Sequence, residues 1–226
     1  MDALHEFLSG PALYVTLVIF FGGLIIRAAF LLGLSRGKDQ VFYDHFSWSW
    51  ALRSVLAWLL PWGSRSLRTQ PLMAIVFFLF HLCLLATPIF LSAHNILWEG
   101  WAGWSLPTLP GIVADVMTLV VLGGVVFLFI RRLVRPEVRL ISTLGDYLLL
   151  LLTAAPFATG ILAQYQIGGP YDLMMVLHIL SAEVLLIIIP FSKLGHLILF
   201  FFTRAFIGVD MGARRNCQGR LGAKVW

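Results

Sequence analysis

Charged residues are scarce in this chain of 226 residues: 12% are Asp, Glu, Lys or Arg, against 60% hydrophobic residues and a mean hydropathy of +0.91. Soluble domains carry roughly 25% charged residues, so the deficit excludes an ordinary water-facing globule and points to an integral membrane protein. Cysteine is nearly absent too. Cys83 lies in an apolar stretch and Cys217 in a polar tail, which excludes a disulfide framework, a CxxC zinc site and a CxxCH covalent haem attachment. No Lys or Arg precedes Arg27, and the first residues carry Asp2 and Glu6. A secretory signal would open on a basic segment, so the first apolar run is read as an uncleaved anchor. The net charge of +5 is no mark of nucleic-acid binding, because the basic residues sit between apolar runs rather than on a soluble face.

A bilayer core of about 30 Å needs about 20 apolar residues in a helix. Five stretches qualify: 12–34, 71–97, 111–130, 143–165 and 173–203. Pro11, Pro71, Pro110 and Pro170 fall just before the expected helix starts, and Pro136 in a basic turn, as proline's missing N–H favours. A sixth apolar stretch, 41–62, contains Asp44, His45, Arg53 and four tryptophans, with Arg36 and Lys38 before it and Arg65 and Arg68 after it. It is expected to lie flat as an interfacial amphipathic helix, because spanning would put one basic cluster on the wrong side. The fold class expected is therefore an all-α integral membrane protein: five transmembrane helices within a 1–203 membrane domain, then a basic tail at 204–226. Segments 1–26, 69–130 and 140–192 contain no Lys or Arg. The positive-inside rule then predicts a multi-pass protein of a bacterial inner membrane with the N-terminus outside and the C-terminus cytoplasmic. Trp98, Trp101 and Trp104 would lie at the outer interface.

Six histidines occur, and ionisable side chains inside membrane helices are costly enough to be functional candidates. His5 and His45 fall outside the spans and read as surface residues. His178 and His196 are eighteen residues apart, about five helical turns and about 27 Å of rise, so on one straight helix they share a face. The antiparallel second helix brings His81 toward His196 and His94 toward His178. Paired imidazoles across a gap between helices are a ligand set for six-coordinate haem b, and two pairs at two depths would carry electrons across the membrane. His81 and His94 are about 140° out of register on a straight helix, but Pro88 between them can re-aim the segment. His94 is thus either a ligand or a wet interfacial histidine beside Asn95.

The segment H178-ILSAEVLLIIIPFSKLG-H196, with LGGVVFLFIRRLVRPEVR and STLGDYLLLLL before it, resembles the cytochrome b family of the gamma subunit of respiratory nitrate reductase over about residues 71–203. The second-helix histidines are further apart than in that family, and 69–130 lacks the lysine of its outer quinol site. With the Trp-rich stretch 41–62, these departures bring the chain nearer in appearance to the cytochrome b subunits of the high-molecular-weight cytochrome c transmembrane redox complexes of sulfate reducers. The resemblance implies two b haems, one on His81 and His196 and one on His94 and His178, with menaquinone as a further candidate cofactor. The implied partners are a periplasmic multihaem cytochrome c, a cytoplasmic iron-sulfur subunit of the heterodisulfide-reductase type and other membrane subunits. The implied role is an electron-transfer subunit of an oxidoreductase complex.

Other polar residues carry two readings each. Lys193 and Arg27 would pair with a haem propionate or snorkel toward headgroups. Glu183 and Asp115 are proton-relay or quinone-site candidates, or are protonated and hydrogen-bonded to helix neighbours, or, for Asp115, favour a helix N-terminus through the dipole. Asp146 is read as a helix-dipole partner, and Gly123, Gly124 and Gly160 as packing glycines. The basic tail would bind anionic lipid or dock the cytoplasmic subunit. Two rival functions compete with electron transfer: a haem-free membrane anchor and a proton-coupled transport subunit.

Overall fold

A computed structural model describes residues 2–215, apart from the side chains of Asp2, Ser66 and Trp101. Among them every regular element is helical. In chain order, α1 (Asp2–Phe7) runs through a π-turn (Leu8–Ala12) into α2 (Leu13–Lys38). Then come α3 (Gln40–Asp44), α4 (Trp48–Leu59), α5 (Arg65–Thr69), α6 (Pro71–Phe90), α7 (Ser92–Ala102), α8 (Gly111–Val134) and α9 (Pro136–Leu140). The series closes with α10 (Leu144–Gln164), α11 (Tyr171–Ile188), two 3₁₀ turns (Ile189–Phe191 and Lys193–Gly195), α12 (His196–Gly208) and a π-turn (Val209–Arg214).

Six helical segments are long and apolar enough to cross a membrane: Ala3–Lys38, Pro71–Phe90, Gly111–Val134, Leu144–Gln164, Tyr171–Phe191 and Lys193–Arg214. Only 17–22% of each apolar window is buried inside the protein. Helices this apolar and this little covered by protein would leave a very large apolar surface in water, and lipid is the solvent that satisfies it.

Several expected boundaries move, each for a local reason. Pro11 does not precede the first helix but sits inside the π-turn, whose i→i+5 pattern absorbs a residue that cannot donate. The stretch 41–62 is two helices, α3 and α4, separated by residues 45–47. The stretch 71–97 breaks at Leu91, which is extended at φ −69°, ψ 133°. The stretch 173–203 breaks at Ser192, also extended at φ −119°, ψ −173°. Both breaks follow a proline by two or three residues, Pro88 and Pro190, as expected where a helical hydrogen bond is lost. One straight helix therefore does not carry His178 and His196, and their shared face and rise no longer follow from spacing. The boundary expected at 203/204 falls inside α12, and Cys217, Arg220 and Lys224 of the tail lie outside the described residues.

The chain forms two compact units. The first comprises residues 1–14 and 79–185. Its core joins Phe80 and Cys83 of α6 to Val121 and Val125 of α8, covered by Leu150, Ala154 and Phe157 of α10. Gly124 makes that packing possible, since a Cβ there would lie 2.7 Å from Phe80 Cδ2. Asp146 is buried at the start of α10 and accepts hydrogen bonds from Thr143 N–H (2.8 Å) and Thr143 Oγ1 (2.9 Å), in keeping with its reading as an N-terminal acid. Asp115 at the start of α8 accepts Gln164 Nε2 (2.9 Å) and Tyr165 Oη (2.6 Å) from the end of α10.

The second unit comprises 15–78 and 186–226, and within its described part α4 packs along α12. Gly208 and Gly212 lie so close to Trp50 that a Cβ on either would collide with it. Ser54 and Val209 are fully buried, Phe42 stacks on Phe206 at 4.9 Å, and the Arg204 guanidinium sits 3.7 Å over the Trp58 ring, a cation–π contact.

Candidate functional site

Within the first unit the structure brings together His94 of α7 and His178 of α11, with ring centres 6.0 Å apart and planes 12° from parallel. The break at Leu91 makes this possible, because α7 takes a direction that α6 would not have given it. Asn95, nearly fully buried, holds the break: its Nδ2 donates to Ile89 O and Leu91 O (both 3.1 Å), and its Oδ1 accepts Leu106 N–H at 2.8 Å. The bond to Ile89 O supplies a donor at the interrupted helix, and Leu91 O also accepts Asn95 N–H at 3.0 Å, so one residue ties both sides of the break.

Each imidazole is held the same way. His94 Nδ1–H donates to Pro88 O at 2.9 Å, and His178 Nδ1–H donates to Pro156 O at 2.8 Å. Because a carbonyl can only accept, each Nδ1 bears the proton and each Nε2 keeps its lone pair. That is the tautomer of a metal-binding histidine oriented by its second nitrogen. Pro156 lies inside α10, and Gly160, one turn on, leaves room for the ring: a Cβ at 160 would lie 3.1 Å from His178 Cε1 and Nδ1. Thr159 Oγ1 donates to Ala155 O (2.7 Å) and lies 3.4 Å from Ser181 Oγ, which donates to His178 O (3.0 Å).

The remaining candidates stand elsewhere. His81 of α6 is in the first unit, edge-on to Phe80 at 5.3 Å. His196 belongs to the second and donates from Nδ1 to Lys193 O at 3.0 Å. Lys193 is exposed. Arg27 donates from Nη1 to Pro190 O (2.6 Å) and Ser192 O (3.0 Å). Glu183 of α11 is buried, and its Oε1 has no hydrogen-bond partner among the described residues; the same holds for Thr87 Oγ1 of α6. Among the described residues no group of three or more His, Cys, Asp or Glu converges on a point, so a metal held here would draw on an imidazole pair rather than on a polydentate cluster.

Sequence reading missed Asn95, Pro156 and Gly160 as parts of this site. Asn95 looked interfacial. The carbonyl of Pro156 and the bare Cα of Gly160 carry no side-chain signal of their own.

This helical architecture with its lipid-dependent surface defines a multi-pass membrane protein. The chain is 40% identical to a protein of Nitratidesulfovibrio vulgaris over 227 residues, 99% of this chain and 100% of that one, and belongs to the same family. That relative is described only as "Protein". No protein-family model and no solved structure matches the chain.

Proposed function

We propose that the chain is a di-haem cytochrome b subunit that passes electrons between the two faces of an energy-transducing membrane. The observation that carries this reading is the His94–His178 pair. The two rings come from different helices of the first unit and stand with centres 6.0 Å apart and planes nearly parallel, so two imidazoles are brought to one place among apolar helices. The donor set also fits, with both Nδ1 protons committed to carbonyls and both Nε2 lone pairs available. Haem b, when bound, supplies one-electron redox chemistry. The chain's own contribution would be to hold the group with His94 and His178, to lock their tautomers through Pro88 and Pro156, and to exclude water with apolar helices. The second pair, His81 and His196, rests on the resemblance, as do menaquinone, the multihaem cytochrome c and the iron-sulfur subunit as cofactor and partners.

The test is the haem content and reduced-minus-oxidised spectrum of the purified chain. Two b haems per chain are expected, and a chain without b-type bands overturns the reading. Glu183 favours a second reading, proton-coupled transport, because its buried Oε1 has no partner among the described residues; Glu183→Gln abolishing proton uptake in haem-free vesicles would establish it.

For topology, the reading is that five of the six apolar segments span and that α12 lies with α4 at the cytoplasmic interface. Arg204 in the middle of α12 is stacked on Trp58, and basic residues stand at both ends of Lys193–Arg214, which a crossing would separate across the bilayer against the positive-inside rule. With the N-terminus outside, five crossings leave the C-terminus in the cytoplasm and six would export it. A C-terminal green fluorescent protein fusion is therefore expected to fluoresce and a C-terminal alkaline phosphatase fusion to be inactive, while the reverse result assigns six crossings.

A further inference from the structure

The break before α12 is built around one guanidinium. Beyond Pro190 the chain leaves the helical path: Ser192 is extended, and Leu194 N–H donates to Ser192 Oγ at 3.1 Å instead of continuing the ladder to Pro190 O. That leaves Pro190 O short of its helical donor inside an apolar stretch, where water cannot replace it. Arg27, from α2, supplies the donor. Its Nη1 bonds Pro190 O at 2.6 Å and Ser192 O at 3.0 Å. Two glycines clear the space. A Cβ on Gly23 would lie 2.8 Å from Pro190 Cβ, and a Cβ on Gly195 would land on the Arg27 guanidinium itself. Gly23, Pro190 and Gly195 are all buried. Gly195 adopts φ −62°, ψ 1°, a conformation open to any residue, so what requires glycine there is the close approach of Arg27 and not the backbone angle.

The clamp controls one functional candidate. Gly195 immediately precedes His196, and the His196 ring donates to the carbonyl of Lys193, so the ring is oriented by the turn that Arg27 secures. We infer that Arg27 is a positioning residue for His196: by holding the carbonyls of Pro190 and Ser192, it sets the turn that aims the imidazole. The inference rests on the proposal that His196 is a haem ligand. It differs from a propionate partner or a snorkelling cation, since both of those need only the positive charge and this needs two N–H bonds held at one fixed place by the planar guanidinium, both from Nη1. Lysine keeps the charge but offers a single compact ammonium on a flexible stem.

The experiment compares four full-length chains, wild type, His196→Ala, Arg27→Lys and Gly195→Ala, by haem content and by the low-spin electron paramagnetic resonance signal of each haem. Wild type is expected to hold two haems and His196→Ala one. Arg27→Lys, which keeps the charge, and Gly195→Ala, which keeps the arginine and displaces it, are each expected to match His196→Ala. The signal of the His94–His178 haem should be unchanged in all four and thereby reports a folded chain. Two wild-type signals in either Arg27→Lys or Gly195→Ala overturns the positioning role, and so does loss of both haems in either. A wild type with fewer than two haems, or His196→Ala retaining both, overturns the reading of His196 instead.

Discussion

Replacing His178 by alanine is expected to remove one of two b haems, halving the pyridine haemochromogen absorbance per chain, and His94→Ala is expected to do the same. The reason is geometric. Each ring has its Nδ1 proton fixed on a proline carbonyl, so each offers one nitrogen, Nε2, as a ligand. On the proposed function, loss of either imidazole would leave the other as the one residue of the pair holding the haem. Exogenous imidazole, filling the space left by the deleted ring, is expected to restore part of the low-spin spectrum in His178→Ala. Gly160→Val supplies a second route to the same outcome with both histidines intact, because even a single added carbon would stand 3.1 Å from the His178 ring. A His178→Ala chain that retains two haems with wild-type spectra would remove the pair from the account.

Gly124→Leu is expected to destabilise the first unit, whereas Gly123→Leu is not. The two glycines are neighbours on α8, yet a Cβ at 124 meets Phe80 at 2.7 Å and a Cβ at 123 meets nothing within 4 Å. Overpacking of this kind typically costs about 1–3 kcal/mol. Leucine in place of glycine otherwise favours a helix by up to about 1 kcal/mol, so Gly123→Leu should be neutral or slightly stabilising. Cys83 provides the readout: it is buried in the same core as Phe80. In a Cys217→Ser background, a thiol-reactive fluorophore follows the temperature at which Cys83 becomes reactive. At about 2–4 °C per kcal/mol for a chain of this size, the Gly124→Leu midpoint should fall by several degrees. Equal behaviour of the two variants would show that α6 does not pack on α8 through Gly124.

Much of this organisation was legible beforehand because composition and helix length respond to the solvent rather than to tertiary detail. The apolar runs beginning at Pro71, Gly111, Leu144 and Tyr171 were readable within a few residues, since a bilayer demands their length and proline marks their starts. His94 is the instructive case. Straight-helix geometry counted against it, Pro88 offered an escape, and the structure takes that escape three residues later at Leu91. The fifth apolar run went the other way. The stretch 173–203 reads as one span, but two 3₁₀ turns and an extended Ser192 interrupt the helical path after Pro190.

What the sequence determined alone, then, is the solvent: too little charge for water, and runs long enough for lipid. Tertiary structure decided which groups meet. The carbonyl of Pro156 meets a ring from α11, that of Pro190 a guanidinium from α2, and that of Pro88 the ring of His94 across the break at Leu91. A carbonyl is the same atom pair in every residue, so no residue letter announces which one a side chain will meet, and only the packed helices reveal it.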